Sequence, residues 1–114
     1  MQIKNSNRIL FYFIVFFLFN LNLHAEEFDI TAKEILIDKK NQVITGIGSV
    51  QAEDSKGRII SADKIIYKKL NKLLIAENNV TVDDISGNIL KANKAEYDKA
   101  KEVITTYDLS LIHI

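Results

Sequence analysis

Side chains that could perform chemistry are few in this sequence. The 114-residue chain has no cysteine, and its two histidines, His24 and His113, lie near its two ends. Residues 26–108 contain no His, Cys, Met, Trp or Pro, so this stretch offers no imidazole base and no thiolate nucleophile. The acidic pair Asp83 and Asp84 has no third carboxylate at the spacing of a calcium loop. We therefore expect no catalysis, no cofactor and no metal site.

The charge balance argues against nucleic acid as a partner. The chain has fifteen basic and fifteen acidic residues, so its formal net charge is zero and no basic segment stands out. The length allows one small domain, and the lack of cysteine means that no disulfide can stabilise it.

The first 25 residues have the composition of an export signal. Lys4 and Arg8 precede an apolar run over residues 9–19, and Ala25 stands before an acidic pair. A cationic start, a short apolar stretch and a small residue before the cleavage point are typical of a secretory signal peptide. We predict a signal peptide over residues 1–25 and an exported domain over residues 26–108. An uncleaved N-terminal anchor is the alternative.

The last six residues, 109–114, depart from the pattern before them. They can be encoded by CTG-TCT-CTT-ATA-CAC-ATC, which resembles a transposon end used to prepare sequencing libraries. We therefore suspect an adapter artefact here, and expect the natural gene to continue beyond Asp108. A natural apolar strand is the alternative.

An internal repeat dominates the rest of the chain. Residues 30–38 return as 60–68 and again as 90–98, at a spacing of 30 without a gap. Within each copy the apolar residues alternate with period two, which predicts half-buried antiparallel strands. The apolar parity flips between Ala62 and Ile65, and at the same place in the other copies, which predicts a bulge or corner.

These observations predict about six antiparallel strands in residues 28–107, with helix confined to the first 25 residues. Glycine should supply positive φ in the longer turns, and Asn41 and Asn71 should do so in the tight ones. The expected turns lie near residues 39–41, 54–57, 69–71, 84–87 and 99–101.

The unit Ile-x-Ala-Asp-Lys-x-x-Tyr at residues 60–67, followed by a turn and a strand ending in Asn-Val, resembles the OstA-like repeat of lipopolysaccharide-transport proteins. That family includes the periplasmic LptA, the inner-membrane LptC and the N-terminal domain of the outer-membrane LptD. The first copy departs from the motif at Glu34 and Ile37, and the third at Asn93. The resemblance covers residues 28–107 and is nearest to the LptD N-terminal domain, with an LptA-like bridge as the alternative.

The resemblance implies an open, twisted β-jellyroll in the periplasm, or in the periplasmic part of an outer-membrane protein. Acyl chains of lipid A would occupy its interior, and other jellyrolls would join head to tail by β-augmentation at an edge formed by Phe28, Asp29 and Ile30. The alternating pattern independently requires that one apolar face be covered, by the fold itself or by an apolar ligand. Ordinary core packing is the alternative for each interior residue. The candidate interior residues are Ile35, Ile37, Ile44, Val50, Ile65, Tyr67, Leu74, Val80, Val82 and Tyr97.

A structural β-repeat protein, such as an adhesin or a solenoid segment, is the competing class. A solenoid would need parallel coils, whereas the turn residues favour antiparallel hairpins.

Overall fold

A computed structural model describes residues 21–24, 28–108 and 110–113 of the chain, with side chains described for 28–108. The described residues are all β, with nine strands in one antiparallel sheet. None of the described residues forms a helix long and apolar enough to cross a bilayer. The strands are β1 (Leu21–His24), β2 (Phe28–Ala32), β3 (Glu34–Asp38), β4 (Val43–Asp54), β5 (Ile59–Lys68), β6 (Leu73–Asp83), β7 (Asn88–Asp98), β8 (Val103–Tyr107) and β9 (Ser110–His113).

The sheet is open. Its order is β1-β2-β4-β5-β6-β7-β8, with β3 also paired to β4 and β9 also paired to β7. This confirms the predicted antiparallel repeat, because β2 and β3 together form the first of six arms, interrupted at Lys33. Since all described strand pairs are antiparallel, the parallel-coil solenoid is wrong.

The 30-residue repeat is visible in the backbone itself. Turns lie at the five predicted places, and all described residues with positive φ fall into sets spaced by 30 residues. The predicted glycines, Gly57 and Gly87, have φ values of 88° and 90°. The sets are Gln42, Lys72 and Glu102; Gly48, Asn78 and Asp108; Ser49 and Asn79; and Gly57 and Gly87.

The prediction for the tight turns is wrong by one residue. Gln42 and Lys72 have positive φ, and Asn41 and Asn71 do not. Asn41 instead donates its backbone N–H and its side-chain amide to the carboxylate of Asp38, at 3.1 and 2.9 Å. The left-handed residue is therefore the last residue of the turn and leads into the next strand, as in hairpins built on a type I turn.

The predicted corner is a β-bulge in the middle of the long strands. The register shifts between Ile47 and Val50 on β4, and again between Glu77 and Val80 on β6. The left-handed residues Gly48, Ser49, Asn78 and Asn79 lie inside these two intervals. Because a bulge bends its strand and increases the local twist, it lets one sheet fold over onto itself.

The bulges divide the sheet into two half-sheets. The first half-sheet comprises residues 34–38, 43–47, 64–68, 73–77, 94–98 and 103–107. The second half-sheet comprises residues 21–24, 28–32, 50–54, 59–62, 80–83, 88–92 and 110–113.

The two half-sheets pack face to face, and the core lies between them. Phe28 on β2 meets Tyr67 and Tyr97, which belong to the first half-sheet and are not neighbours of β2 in the sheet order. Gly46 lies in the same interior, where an added Cβ would be 2.8 Å from Val50 Cγ1. The apolar face is therefore covered within the described chain by the fold itself.

Candidate functional site: the interior between the half-sheets

Apolar residues form a continuous row across the first half-sheet. Each residue of the row is the direct register partner of the next one, so their side chains share one face. A row that crosses six strands is about 24 Å long at the usual strand spacing. The row is Ile37, Ile44, Tyr67, Leu74, Tyr97 and Ile104.

The second half-sheet presents its own row to the same interior. Ile30 pairs with Ala52, Ala52 with Ile60, Ile60 with Val82, and Val82 with Leu90. The first four of these residues are at most 3% exposed. The interior is thus an apolar layer whose long direction runs across the strands, from β3 toward β8.

Eight of the ten interior residues expected from the sequence lie in the core. Ile44, Val50, Ile65, Tyr67, Leu74, Val80, Val82 and Tyr97 are all at most 5% exposed. Ile35 is partly buried against the same core.

Ile37 does not lie in the enclosed interior, since it is 54% exposed. It occupies the correct face, opposite Ile44, but β3 pairs with β4 alone among the described strands. The apolar row is therefore open at its β3 end.

Phe28 is the largest of the buried residues that the candidate interior set omitted, because it was expected to lie at an edge. Its ring packs edge-on against Tyr67 and Tyr97, with centroid distances of 5.1 and 5.7 Å. Such T-shaped pairs add to the stabilisation from burial alone. Tyr67 and Tyr97 are the last interior residues before their turns, so this aromatic cluster closes the side of the interior where the turns lie.

A polar network joins the two half-sheets beside these aromatic rings. Asp54 is 6% exposed and accepts hydrogen bonds from the backbone N–H groups of Lys56 and Arg58, both at 2.9 Å. The guanidinium of Arg58 donates to Asp54 Oδ2 and to Glu102 Oε2, each at 3.0 Å, and also to the Tyr97 hydroxyl. The turn after β4 is thereby tied to the turn after β7.

Glu102 collects donors from the opposite turn and from its own. Tyr97 donates its hydroxyl proton to Oε2 at 2.8 Å, and Lys99 Nζ donates to Oε1 at 3.0 Å. These two hydrogen bonds, the Tyr97 one first, lower the pKa of Glu102 to about 2. Burial, followed by the hydrogen bond to Glu102, raises the pKa of Tyr97 to about 12.

Sequence reasoning missed this network, although one signal for it existed. Asp54 has a counterpart in Asp84 at the repeat spacing. Asp84 caps its own turn in the same way, by accepting from the backbone N–H groups of Ser86 and Asn88 at 2.9 and 3.0 Å. Of the acidic pair, Asp83 is thus the last residue of β6, and Asp84 caps the turn that follows. No cluster of three or more potential metal ligands exists among the described residues.

The edge expected at Phe28, Asp29 and Ile30 is covered in the described chain. β1 pairs with the outer side of β2, placing Leu23 opposite Ile30 and His24 opposite Asp29. The side chains of Phe28 and Ile30 point into the core, at 2% and 1% exposure. The covering strand belongs to the predicted signal peptide, so the partner edge expected for the exported domain, residues 26–108, stays a prediction.

The predicted boundaries at the two ends stay predictions. Residues 1–20, 25–27, 109 and 114 lie outside the described residues. The backbone of residues 110–113 pairs with β7, with Lys91 opposite Ser110. Lys94 lies opposite Tyr107, so both strands advance by three positions between these two pairs.

Comparison with known proteins agrees with this architecture at the level of the fold. No family model and no curated protein matches the chain. Among solved structures, it is similar to LptH from Pseudomonas aeruginosa, described as the LptA-homologous periplasmic component of the lipopolysaccharide transport device. The TM-score is 0.70 at 13% sequence identity, over 82% of this chain and 78% of that one. The chain thus has the OstA-like, open β-jellyroll fold of this LptA homologue.

Proposed function

We propose that the chain is a non-catalytic, periplasmic lipopolysaccharide carrier that shields the acyl chains of lipid A between its half-sheets. The observation that carries the proposal is the unbroken apolar row from Ile37 to Ile104, which is covered from Ile44 onward and open to solvent at Ile37. The described strands around it form an open sheet. Burial of the acyl chains along such a row would remove apolar surface from water, and the sugars could remain outside.

The interior must widen to admit a lipid, since its side chains are already packed. β4 and β6 bend at their bulges, and the opposite side is held by the Phe28 contacts and the Arg58 network. Interactions of these kinds are individually modest. Separation of the half-sheets about the bulges is therefore the motion that we expect to accompany lipid entry.

Assembly would follow from the open edges of the sheet. We propose that other jellyrolls join head to tail by β-augmentation, extending the apolar rows from one molecule to the next. The similarity to an LptA homologue favours an LptA-like bridge over the LptD N-terminal domain expected from the sequence.

Photo-crosslinking to lipopolysaccharide tests the proposal. Crosslinkers at Ile44, Val50, Leu74 and Val80, which face the interior, should capture the lipid. Crosslinkers on the outer face are the matched controls and should not capture it. Equal labelling of the two faces would remove the carrier function and leave an ordinary β-domain. The control positions are Thr45, Gln51 and Thr81, which directly follow Ile44, Val50 and Val80 in the sequence and so face the other side of their strands.

A further inference from the structure

Three turns of successive repeats stack along one side of the interior. They comprise residues 38–42, 68–72 and 98–102. The backbone N–H of Lys69 donates to the carbonyl of Gln42 at 3.0 Å, and that of Lys99 donates to the carbonyl of Lys72 at 2.9 Å. The turns are therefore a continuous, ordered rim with one turn for every two strands, a spacing of about 10 Å.

Lysine recurs along this rim. The three turns contain seven lysines against Asp38, Asp98 and Glu102, and lysine occupies the second position of all three. The turns on the other half-sheet, residues 53–58 and 83–88, have the opposite balance, with four acids and two bases. The lysines are Lys39, Lys40, Lys68, Lys69, Lys72, Lys99 and Lys101.

The three carboxylates on the rim already accept hydrogen bonds, whereas most of the lysine side chains form no ion pair. Asp38 accepts from Asn41, Asp98 accepts from the backbone N–H of Lys101 at 3.2 Å, and Glu102 holds Lys99. The other six lysines form no ion pair within the described part of the chain. Those six, which we name the lysine rim, are Lys39, Lys40, Lys68, Lys69, Lys72 and Lys101.

The lysine rim borders the apolar row directly. Ile37 and Tyr67 belong to the row and lie two residues before Lys39 and Lys69. A lipid whose chains enter from the turn side, where the half-sheets are expected to separate, would therefore place its headgroup against the rim. Ammonium groups make charge-assisted hydrogen bonds to phosphate oxygens, and several in one line favour an anion with more than one phosphate.

We infer that the lysine rim binds the phosphate groups of the lipid headgroup while the acyl chains occupy the interior. This inference rests on the proposed carrier function, and it adds a polar contact site, a headgroup requirement and an orientation of the lipid. Because the rim lysines are mostly exposed, their contribution should weaken as salt screens it.

The test uses the full chain and two matched triple variants. The rim variant carries Lys39→Gln, Lys69→Gln and Lys72→Gln. The control variant removes the same charge at three exposed lysines away from the rim, by Lys33→Gln, Lys64→Gln and Lys91→Gln. The probes are diphosphorylated lipid A, the same lipid with both phosphates removed, and inorganic pyrophosphate.

We expect the rim variant to bind diphosphorylated lipid A about tenfold more weakly than the native chain, as three exposed ion pairs would give. Its affinity for the dephosphorylated lipid should be unchanged, and its salt dependence should be smaller. The control variant should match the native chain with both lipids. If the rim variant binds diphosphorylated lipid A as tightly as the native chain does, and both bind the dephosphorylated lipid equally well, the lysine rim is refuted as a phosphate site. The carrier function would remain supported.

Pyrophosphate separates the two proposals. Failure of the native chain to bind either lipid would refute the carrier function. In that case, perturbation of the amide signals of the three rim turns by pyrophosphate, absent in the rim variant, would retain the rim as a site for free phosphate. Undisturbed signals would then refute the rim as well.

Discussion

Glu102 shows how much one carboxylate can contribute when the fold brings donors to it. It belongs to the turn after β7, and it accepts from Tyr97 and Lys99 nearby in sequence and from Arg58, 44 residues away. The half-sheets are thus connected by a group that must be ionised to accept all three hydrogen bonds. Acid should therefore loosen the turn side of the interior before it disrupts the apolar core.

We predict that Glu102→Gln lowers stability at neutral pH and reduces the acid sensitivity of the fold. The pKa of Glu102 is lowered from 4.5 to about 2, so its contribution is present above pH 4.5 and is lost as the pH falls toward 2. Urea unfolding followed from pH 7 down to pH 2 measures this loss. The difference between native chain and variant should shrink across that window.

Glu34→Gln, at an exposed glutamate on β3, is the control. It should leave the native pH profile in place. A Glu102→Gln variant with the native midpoint at pH 7 would show that the Glu102 carboxylate contributes nothing to stability.

At the scale of the strand, the bulge is the element that lets the sheet fold over into two packed half-sheets. Asn78 has a φ of 67° and is exposed, and the register shift falls beside it. Left-handed backbone is easy for glycine, tolerable for asparagine and strained for a β-branched residue. The strand thus bends where its sequence permits it.

We predict that Asn78→Val destabilises the chain by about 1–2 kcal/mol through backbone strain, whereas Asn78→Gly is neutral or slightly stabilising. The free energy of urea unfolding measures both. Gln51→Val, at an exposed position of β4 with ordinary φ, controls for the effect of valine on an exposed strand. Equal effects of the two substitutions at Asn78 would mean that the bulge is not strained.

The repeat made the strands, their faces and the bulges predictable, whereas the contacts between the two half-sheets were not. Alternation and the 30-residue spacing are local properties, so the parity flip between Ala62 and Ile65 could be read directly. The contacts of Phe28 could not, because they depend on how far one half-sheet slides over the other. Exposure of Ile37 likewise depends on whether another strand follows β3, which is a property of the whole sheet.

At the scale of the molecule, the edges of the second half-sheet decide whether copies can join. β1 covers β2 on one side, and β9 covers β7 on the other. Both covering strands come from segments that we predict to be absent from the natural exported domain, residues 1–25 and 109–114. Their removal would leave the outer backbone groups of Phe28–Ala32 unpaired, together with those of residues 88–92.

We therefore predict that residues 26–108 self-associate more strongly than the full chain. The joint is heterologous, since β2 of one copy must meet β7 of the next, and such a joint extends into chains when nothing closes it. Sedimentation equilibrium over a range of concentrations should show growing oligomers for 26–108.

Two single truncations are the controls. The chains 26–114 and 1–108 each free one edge of the complementary pair, so each alone should form few oligomers. A mixture of the two should form heterodimers. A monomeric 26–108 at every concentration would mean that the half-sheets satisfy their own edges, and the head-to-tail assembly would fail.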